Sequence, residues 1–150
     1  SMNWLKKHLI ISFSGKSRNS GEMQESVWNR YSNGDQELIS GLHKIRSAAR
    51  VMANGLQQDR RDMVVTAFKE VCDGVDLMDK AIHDPFRDVV QPLLENGSAV
   101  AWKALGAGGG GCSAILCSPT GREEVILAID EAGWEMIDWD FEDKGVMILD

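Results

Sequence analysis

Residues 100–117 read Val100-Ala101-Trp102-Lys103-Ala104-Leu105-Gly106-Ala107-Gly108-Gly109-Gly110-Gly111-Cys112-Ser113-Ala114-Ile115-Leu116-Cys117. Two apolar runs of strand length flank six residues that hold five glycines. The second run meets Pro119 too soon to be a helix, so both runs read as strands joined by a glycine loop. A plain hairpin needs only two special residues. Five glycines weaken the chain entropically. The excess asks for several positive φ angles, or for another group that approaches the backbone closely. Bare N–H groups in such a loop form a concave anion site, and a mobile hairpin tip uses the same residues. The spacing predicts antiparallel neighbours, one ending near Leu105 and one starting near Cys112, with at least one glycine at positive φ.

On either side the chain alternates helices and strands. His8 to Ser14, closed by Gly15, is a short apolar strand. Residues 16–34 are polar, with Ser17, Asn19 and Ser20 as caps and Met23, Val27, Trp28 and Tyr31 as a helical stripe ended by Asn33-Gly34. Two long helices follow. Leu38, Leu42, Ile45, Ala49, Met52 and Leu56 fall at spacings 4, 3, 4, 3, 4, and Val64, Phe68, Val71, Val75, Met78 and Ile82 repeat them. The link from Gln57 to Arg61 is short, so the helices over 36–56 and 62–82 fold back as an antiparallel pair, with Asp59 as cap of the second. The stripes predict burial of Leu42, Ile45, Phe68, Val71 and Val75. Asp84-Pro85 breaks the second helix. Phe86 to Leu94 is a further helix with Pro92 as a weak point, ended by Asn96-Gly97. Beyond the glycine hairpin, Arg122 to Ala132 is a helix with Val125, Ile126 and Ile129 inward and Gly133 at C′. Trp134 to Phe141 reads as a strand, with Trp134 and Trp139 on opposite faces. Asp143-Lys144-Gly145 then turns into a last strand, Val146 to Leu149. The order predicts an α+β two-layer sandwich, ferredoxin-like, with an antiparallel sheet and helices on one face.

Composition narrows the function classes. The 150 residues make one domain, 43% hydrophobic. Lys+Arg 16 against Asp+Glu 23 gives a net charge of −7. Such a chain is repelled by nucleic acid and by anionic membranes, and neither is an expected partner. Its apolar runs fall far short of the ~20 residues of a membrane span, and no signal peptide is expected. Cys72, Cys112 and Cys117 are an odd set without a CxxC, which disfavours disulfides and fits a reducing, cytoplasmic setting. Ser1 before Met2 reads as an expression scar.

Several motifs fail on mechanism. Gly15-Lys16-Ser17 follows a strand, but a P-loop needs glycine where Ile10 stands. Residues 106–111 satisfy G-x-G-x-x-G, yet the loop opens a strand where a dinucleotide site needs a helix N-terminus. No zinc-type spacing joins the cysteines to His8, His43 or His83. Those histidines stand near element ends with no nucleophile beside them and read as surface or packed residues. No catalytic and no metal residue is marked.

The run Val100 to Cys112 resembles the third motif of the GHMP kinases, the family of galacto-, homoserine, mevalonate and phosphomevalonate kinases. Phe13-Ser14-Gly15-Lys16-Ser17-Arg18 is similar to the strand and Ser-Arg segment of the sugar-kinase branch that acts on heptose 7-phosphate. Asp79-Lys80 before Pro85-Phe86 resembles the helix region upstream of the motif, and Ile137 to Phe141 with Gly145-Val146 resembles that branch's closing strands. The resemblance spans most of residues 8–150. It implies the C-terminal half of a sugar or sugar-phosphate kinase. Gly106, Ala107, Gly108, Gly109, Gly110 and Gly111 would line the cleft beside nucleotide phosphates and acceptor. Ser17 and Arg18 would lie on the acceptor side, although a solvated arginine after a strand reads equally well. The loop would stand at a sheet edge, exposed towards an N-terminal half.

The family's Pro-x-x-x-Gly-Leu-Ser-Ser-Ser-like phosphate loop, its catalytic aspartate and its magnesium ligand have no counterpart in these residues. ATP and Mg²⁺ are therefore expected only with an N-terminal half. The chain alone should be inactive, its partner being that half or a second copy docked on exposed apolar surface. A stand-alone binding or assembly module with the same fold is the alternative.

Overall fold

The computed structural model describes residues 2–17 and 19–149; Ser1 and its reading as a scar lie outside them. In chain order the elements are α1 (Met2–His8), β1 (Leu9–Phe13), α2 (Ser20–Ser32), α3 (Gln36–Gln57), α4 (Arg61–Met78), a 3-10 turn (Lys80–Ile82), α5 (Asp84–Glu95), β2 (Ala99–Ala104), β3 (Cys112–Cys117), α6 (Arg122–Glu131) and β4 (Glu135–Ile137). The strands form one antiparallel sheet in the order β2-β3-β1-β4. In register, Ile10 faces Ile115 and Ser12 faces Ser113, while Trp102 faces Ile115 on the other side. Ile10, Ile115 and Trp102 therefore share one face. They form a continuous core with Phe86, Val90 and Leu93 of α5 and Val125 and Ile129 of α6. On the same face, Ser12 and Ser113 satisfy one another at 3.0 Å, as buried hydroxyls must. This is the expected α+β sandwich.

Local chemistry explains most boundaries. Asn19 caps α2 through the Gly21 N–H, and Asp35 caps α3 through the Leu38 N–H. Gly133 ends α6 at φ +72, and Gly97 follows α5 at φ +79.

The helix pair forms as expected, but the buried stripe is offset. The fully buried positions of α3 are Leu38, Gly41, Ala48 and Gly55, and those of α4 are Val64, Ala67, Gly74 and Val75. Leu42, Ile45, Phe68 and Val71 are only half-buried. The helices meet through small residues: a Cβ on Gly41 would lie 2.6 Å from the Gly74 carbonyl oxygen. Large side chains thus flank the contact line without filling it.

Four other expectations are corrected. Arg60, not Asp59, takes the N-cap position of α4. Asp59 adopts φ +54 and closes α3, with the Arg60 N–H returning to the Gly55 C=O at 2.8 Å. Helix α4 ends at Met78 and not at Ile82, because Asp79 turns extended and caps the 3-10 turn through the Ala81 N–H; Pro85 then opens α5. Only Glu135–Ile137 pairs after α6. Trp134 leaves for the core beside Phe86, whereas Trp139 donates to the Leu9 C=O at 3.0 Å under Lys6. Residues 146–149 form no strand and lie exposed, since no neighbouring edge accepts them.

Candidate functional site at the glycine loop

The loop joins β2 to β3 as the spacing requires. Gly106, Gly108, Gly109, Gly110 and Gly111 all adopt positive φ, from +67 to +155, so each glycine uses the freedom that only glycine has. The loop is not an exposed tip. Gly108, Gly109 and Gly110 are buried, and Gly106 alone is exposed.

Two segments hold it. From one side the 3-10 turn presses on it: a Cβ on Gly108 would collide with Ile82, and the Gly109 N–H donates to the Ile82 C=O at 2.9 Å. From the other side comes the segment after β1. The Lys16 C=O accepts the Gly111 N–H at 2.6 Å, and a Cβ on Gly110 would lie 2.8 Å from the same oxygen. The exposure expected at the sheet edge fails for this reason: the glycines admit the chain's own backbone. Gly15-Lys16-Ser17, unfit as a P-loop, thereby reaches the glycine loop. Lys16 and Ser17 are exposed; Arg18 lies outside the described residues. Among the described residues, the N–H groups of Gly106, Ala107, Gly108 and Gly110 donate to no backbone carbonyl.

Beside the loop a cavity of 330 Å³ opens between α2, the helix pair and the end of β2. Met23, Trp28, Ile45 and Ile82 give it apolar walls, with Lys103, Gly106 and Ala107 at one end. Burial holds the Lys103 ammonium below its usual range, and it donates to the Ala104 C=O at 2.6 Å.

Sequence reasoning missed the cluster behind the loop. His83 is completely buried. Its Nδ1 lies 2.9 Å from Asp76 Oδ1, and its Nε2 accepts the Ala104 N–H at 3.1 Å. Arg87 grips Asp76 and Asp84. Burial pushes the Asp76 carboxyl up, but the bonds from His83 and Arg87 outweigh it and hold it below the usual range. Cys72 Sγ stands 3.8 Å from His83 Nδ1, so a thiol does lie beside this histidine. It is no activated nucleophile: burial, with Asp76 and Asp73, pushes the thiol up to about 12. Donor atoms of Cys72, Asp76 and His83 come within 4.8 Å of one another. The set does not suit a metal, because Arg87 and the imidazole proton already take the carboxylate. The one hint in the sequence was the spacing of Asp76, His83 and Arg87, which a helix, a turn and a second helix bring together.

Residues 43–134 match the family described as GHMP kinases C terminal. No curated protein matches the sequence at a significant level. Among solved structures, a protein of Listeria innocua is similar with a TM-score of 0.76 at 12% identity, over 87% of this chain and 38% of that one. A Streptococcus pneumoniae phosphomevalonate kinase, solved with phosphomevalonate and AMPPNP, gives 0.68 at 14% identity, over 87% and 38%. The L. major mevalonate kinase, solved with R-mevalonate, gives 0.61 at 17%, over 83% and 38%. At these identities the likeness is one of fold, and the chain spans well under half the length of these proteins. The two with named activities are mevalonate-type kinases and not heptose 7-phosphate kinases. The family match covers more than half of the chain, including most of the helix pair, the clamping turn, the glycine loop and β3, and so this chain belongs to the GHMP kinase C-terminal family.

Proposed function

We propose that this chain is the C-terminal half of an ATP-dependent small-molecule kinase, in which residues 106–111 form one wall of the phosphoryl-transfer cleft. The observation that carries the reading is the loop itself. Among the described residues, the N–H groups of Gly106, Ala107, Gly108 and Gly110 find no backbone acceptor in this loop of five positive-φ glycines, and exposed Lys16 stands at its margin. A concave set of amides beside a cation suits phosphate oxygens. Gly106 to Gly111 are assigned to the nucleotide and phosphate side, and Ser17 and Arg18 to the acceptor side.

Mg²⁺ is a different matter. Among the described residues the one cluster of ligating side chains is Cys72–Asp76–His83, already engaged. Phosphoryl transfer depends on a metal to neutralise charge and on a positioned base. An N-terminal half would supply both, with the phosphate loop. What these residues do alone is orient: the loop amides fix an anion, and the Ile82 and Lys16 carbonyls keep those amides aimed. The acceptor is an alcohol on a small anionic metabolite, a sugar phosphate such as heptose 7-phosphate by sequence resemblance or a mevalonate-type acid by structural likeness. The second reading, a stand-alone binding module, draws on the burial of Gly108 to Gly110 by the chain's own backbone, which leaves less of the loop for a partner.

The test is phosphoryl transfer from ATP·Mg²⁺ to a panel of heptose phosphates, mevalonate and phosphomevalonate. The chain alone should give no turnover, and the chain joined to a GHMP N-terminal half should give it. Turnover by the chain alone that survives repurification would overturn the reading. So would silence from a folded, joined protein.

A further inference from the structure

An edge strand presents backbone N–H groups with no neighbour, and β2 is an edge of this sheet. The Leu105 N–H turns inwards, to the Cys112 C=O at 2.9 Å. The preceding amide, Ala104, therefore turns outwards, and it is buried. It donates to His83 Nε2 at 3.1 Å. A nitrogen that accepts an N–H carries no proton, so the imidazole proton sits on Nδ1, where Asp76 Oδ1 accepts it at 2.9 Å. Arg87 holds Asp76 in turn, and Trp102 lies tilted against the ring, 4.3 Å between centroids. One residue earlier, the Ile82 C=O accepts the Gly109 N–H. Neighbouring residues of one turn thus hold the end of β2 and the middle of the glycine loop.

We propose that His83 is the positioning residue of the glycine loop: fixed as the Nδ1–H tautomer by Asp76, it docks the 79–84 turn onto Ala104 and so sets where Ile82 holds Gly109. Its bearing on phosphoryl transfer rests on the reading of the loop as a cleft wall. The coupling of His83 to the loop does not. Phenylalanine at this position would fill the space and stack on Trp102, yet it would leave the buried Ala104 N–H without an acceptor. The effect should then be local, at the amides that the turn holds.

Amide hydrogen exchange of the whole chain, followed by NMR, tests this. In His83→Phe, exchange at Ala104 and Gly109 should accelerate about tenfold relative to Ile10 in β1 and Ala67 in α4, as expected for loss of one hydrogen bond to a buried amide. His83→Gln, whose side-chain oxygen can accept in place of Nε2, should restore much of the protection at Ala104. Equal acceleration at all four amides would show a merely structural role, and no acceleration would show none; either overturns the proposal. Should His83→Phe fail to fold, the imidazole nitrogen spectrum of the unaltered chain decides. A protonated Nδ1 with a bare Nε2 supports the proposal, and a proton on Nε2 refutes it. Neither readout involves a nucleotide, so failed phosphoryl transfer would sink the kinase reading and leave this one standing.

Discussion

Gly106 and Gly108 are both at positive φ, at +67 and +74, but only one has room for a side chain. A Cβ at Gly106 meets open space, while one at Gly108 runs into Ile82. Gly106→Ala should therefore lower stability by about 1 kcal/mol, the strain of the backbone alone. Gly108→Ala should lose about 2–4 kcal/mol, since overpacking adds to that strain. Urea unfolding of the two variants checks the difference, and equal losses would contradict the packed loop. Asp76 carries the second prediction at this scale. Its carboxyl is held low in the folded chain by His83 and Arg87. The stabilisation is then present above the unfolded carboxylate range and is lost as pH falls through the depressed folded value. Asp76→Asn should lower stability by about 1–3 kcal/mol near pH 7, and the gap to the unaltered chain should narrow below about pH 4. A gap that stays constant down to pH 2.5–3 would show that the charge is not what matters. Neither residue's role was legible in the sequence. Gly108 read as part of an anion cradle or a mobile hairpin tip, and His83 as a surface or packed histidine, because their partners Ile82 and Asp76 lie 26 and 7 residues away in other elements.

At the scale of elements the helix pair is the instructive case. Hydrophobic spacing identified both helices and their antiparallel packing, and the strand runs β1, β2 and β3 were legible from their apolar runs and turn residues. The face was placed in part: Leu38, Val64 and Val75 of the stripes are buried, while Leu42, Ile45, Phe68 and Val71 are only half-buried. Counting large apolar residues favours Leu42 and Phe68, yet the axes approach along Gly41, Ala48, Gly55 and Gly74, which no hydrophobic count rewards. Close backbone approach is won by absent side chains, and absence leaves little trace in a periodicity. Gly41→Ala would raise helix propensity by about 1 kcal/mol at an exposed site. Here its Cβ meets the Gly74 carbonyl oxygen and Leu77. The net effect should be a loss of about 1–3 kcal/mol, seen as a lower urea midpoint with an unchanged slope. A stabilised variant would show that the helices stand farther apart. The closing strands failed for the opposite reason. Trp139, Phe141 and Val146 to Leu149 alternate well enough for a hairpin, but β4 pairs β1 for only three positions before Trp139 turns to cap the Leu9 carbonyl.

The whole molecule combines an α+β core with the proposed phosphate site. The sheet, α5 and α6 close around Phe86, Trp102 and Ile115, and no helix among the described residues is long and apolar enough to cross a membrane. The glycine loop has its own clamps, yet no set of free metal ligands accompanies it among the described residues. Motif resemblance made the loop and its family legible in the sequence; that the loop is held by Ile82 and Lys16 was not, because those contacts depend on how a turn and a strand end converge. The central claim is that residues 106–111 are a preformed but partial phosphate site. Titration of the chain with ATP and Mg²⁺, followed by amide NMR, tests it most directly. The account predicts millimolar affinity, because a few amides and one exposed lysine hold an anion weakly in water, with shifts centred on Gly106, Ala107, Gly108, Gly110 and Lys16. Micromolar binding, or shifts that avoid this loop, would contradict it.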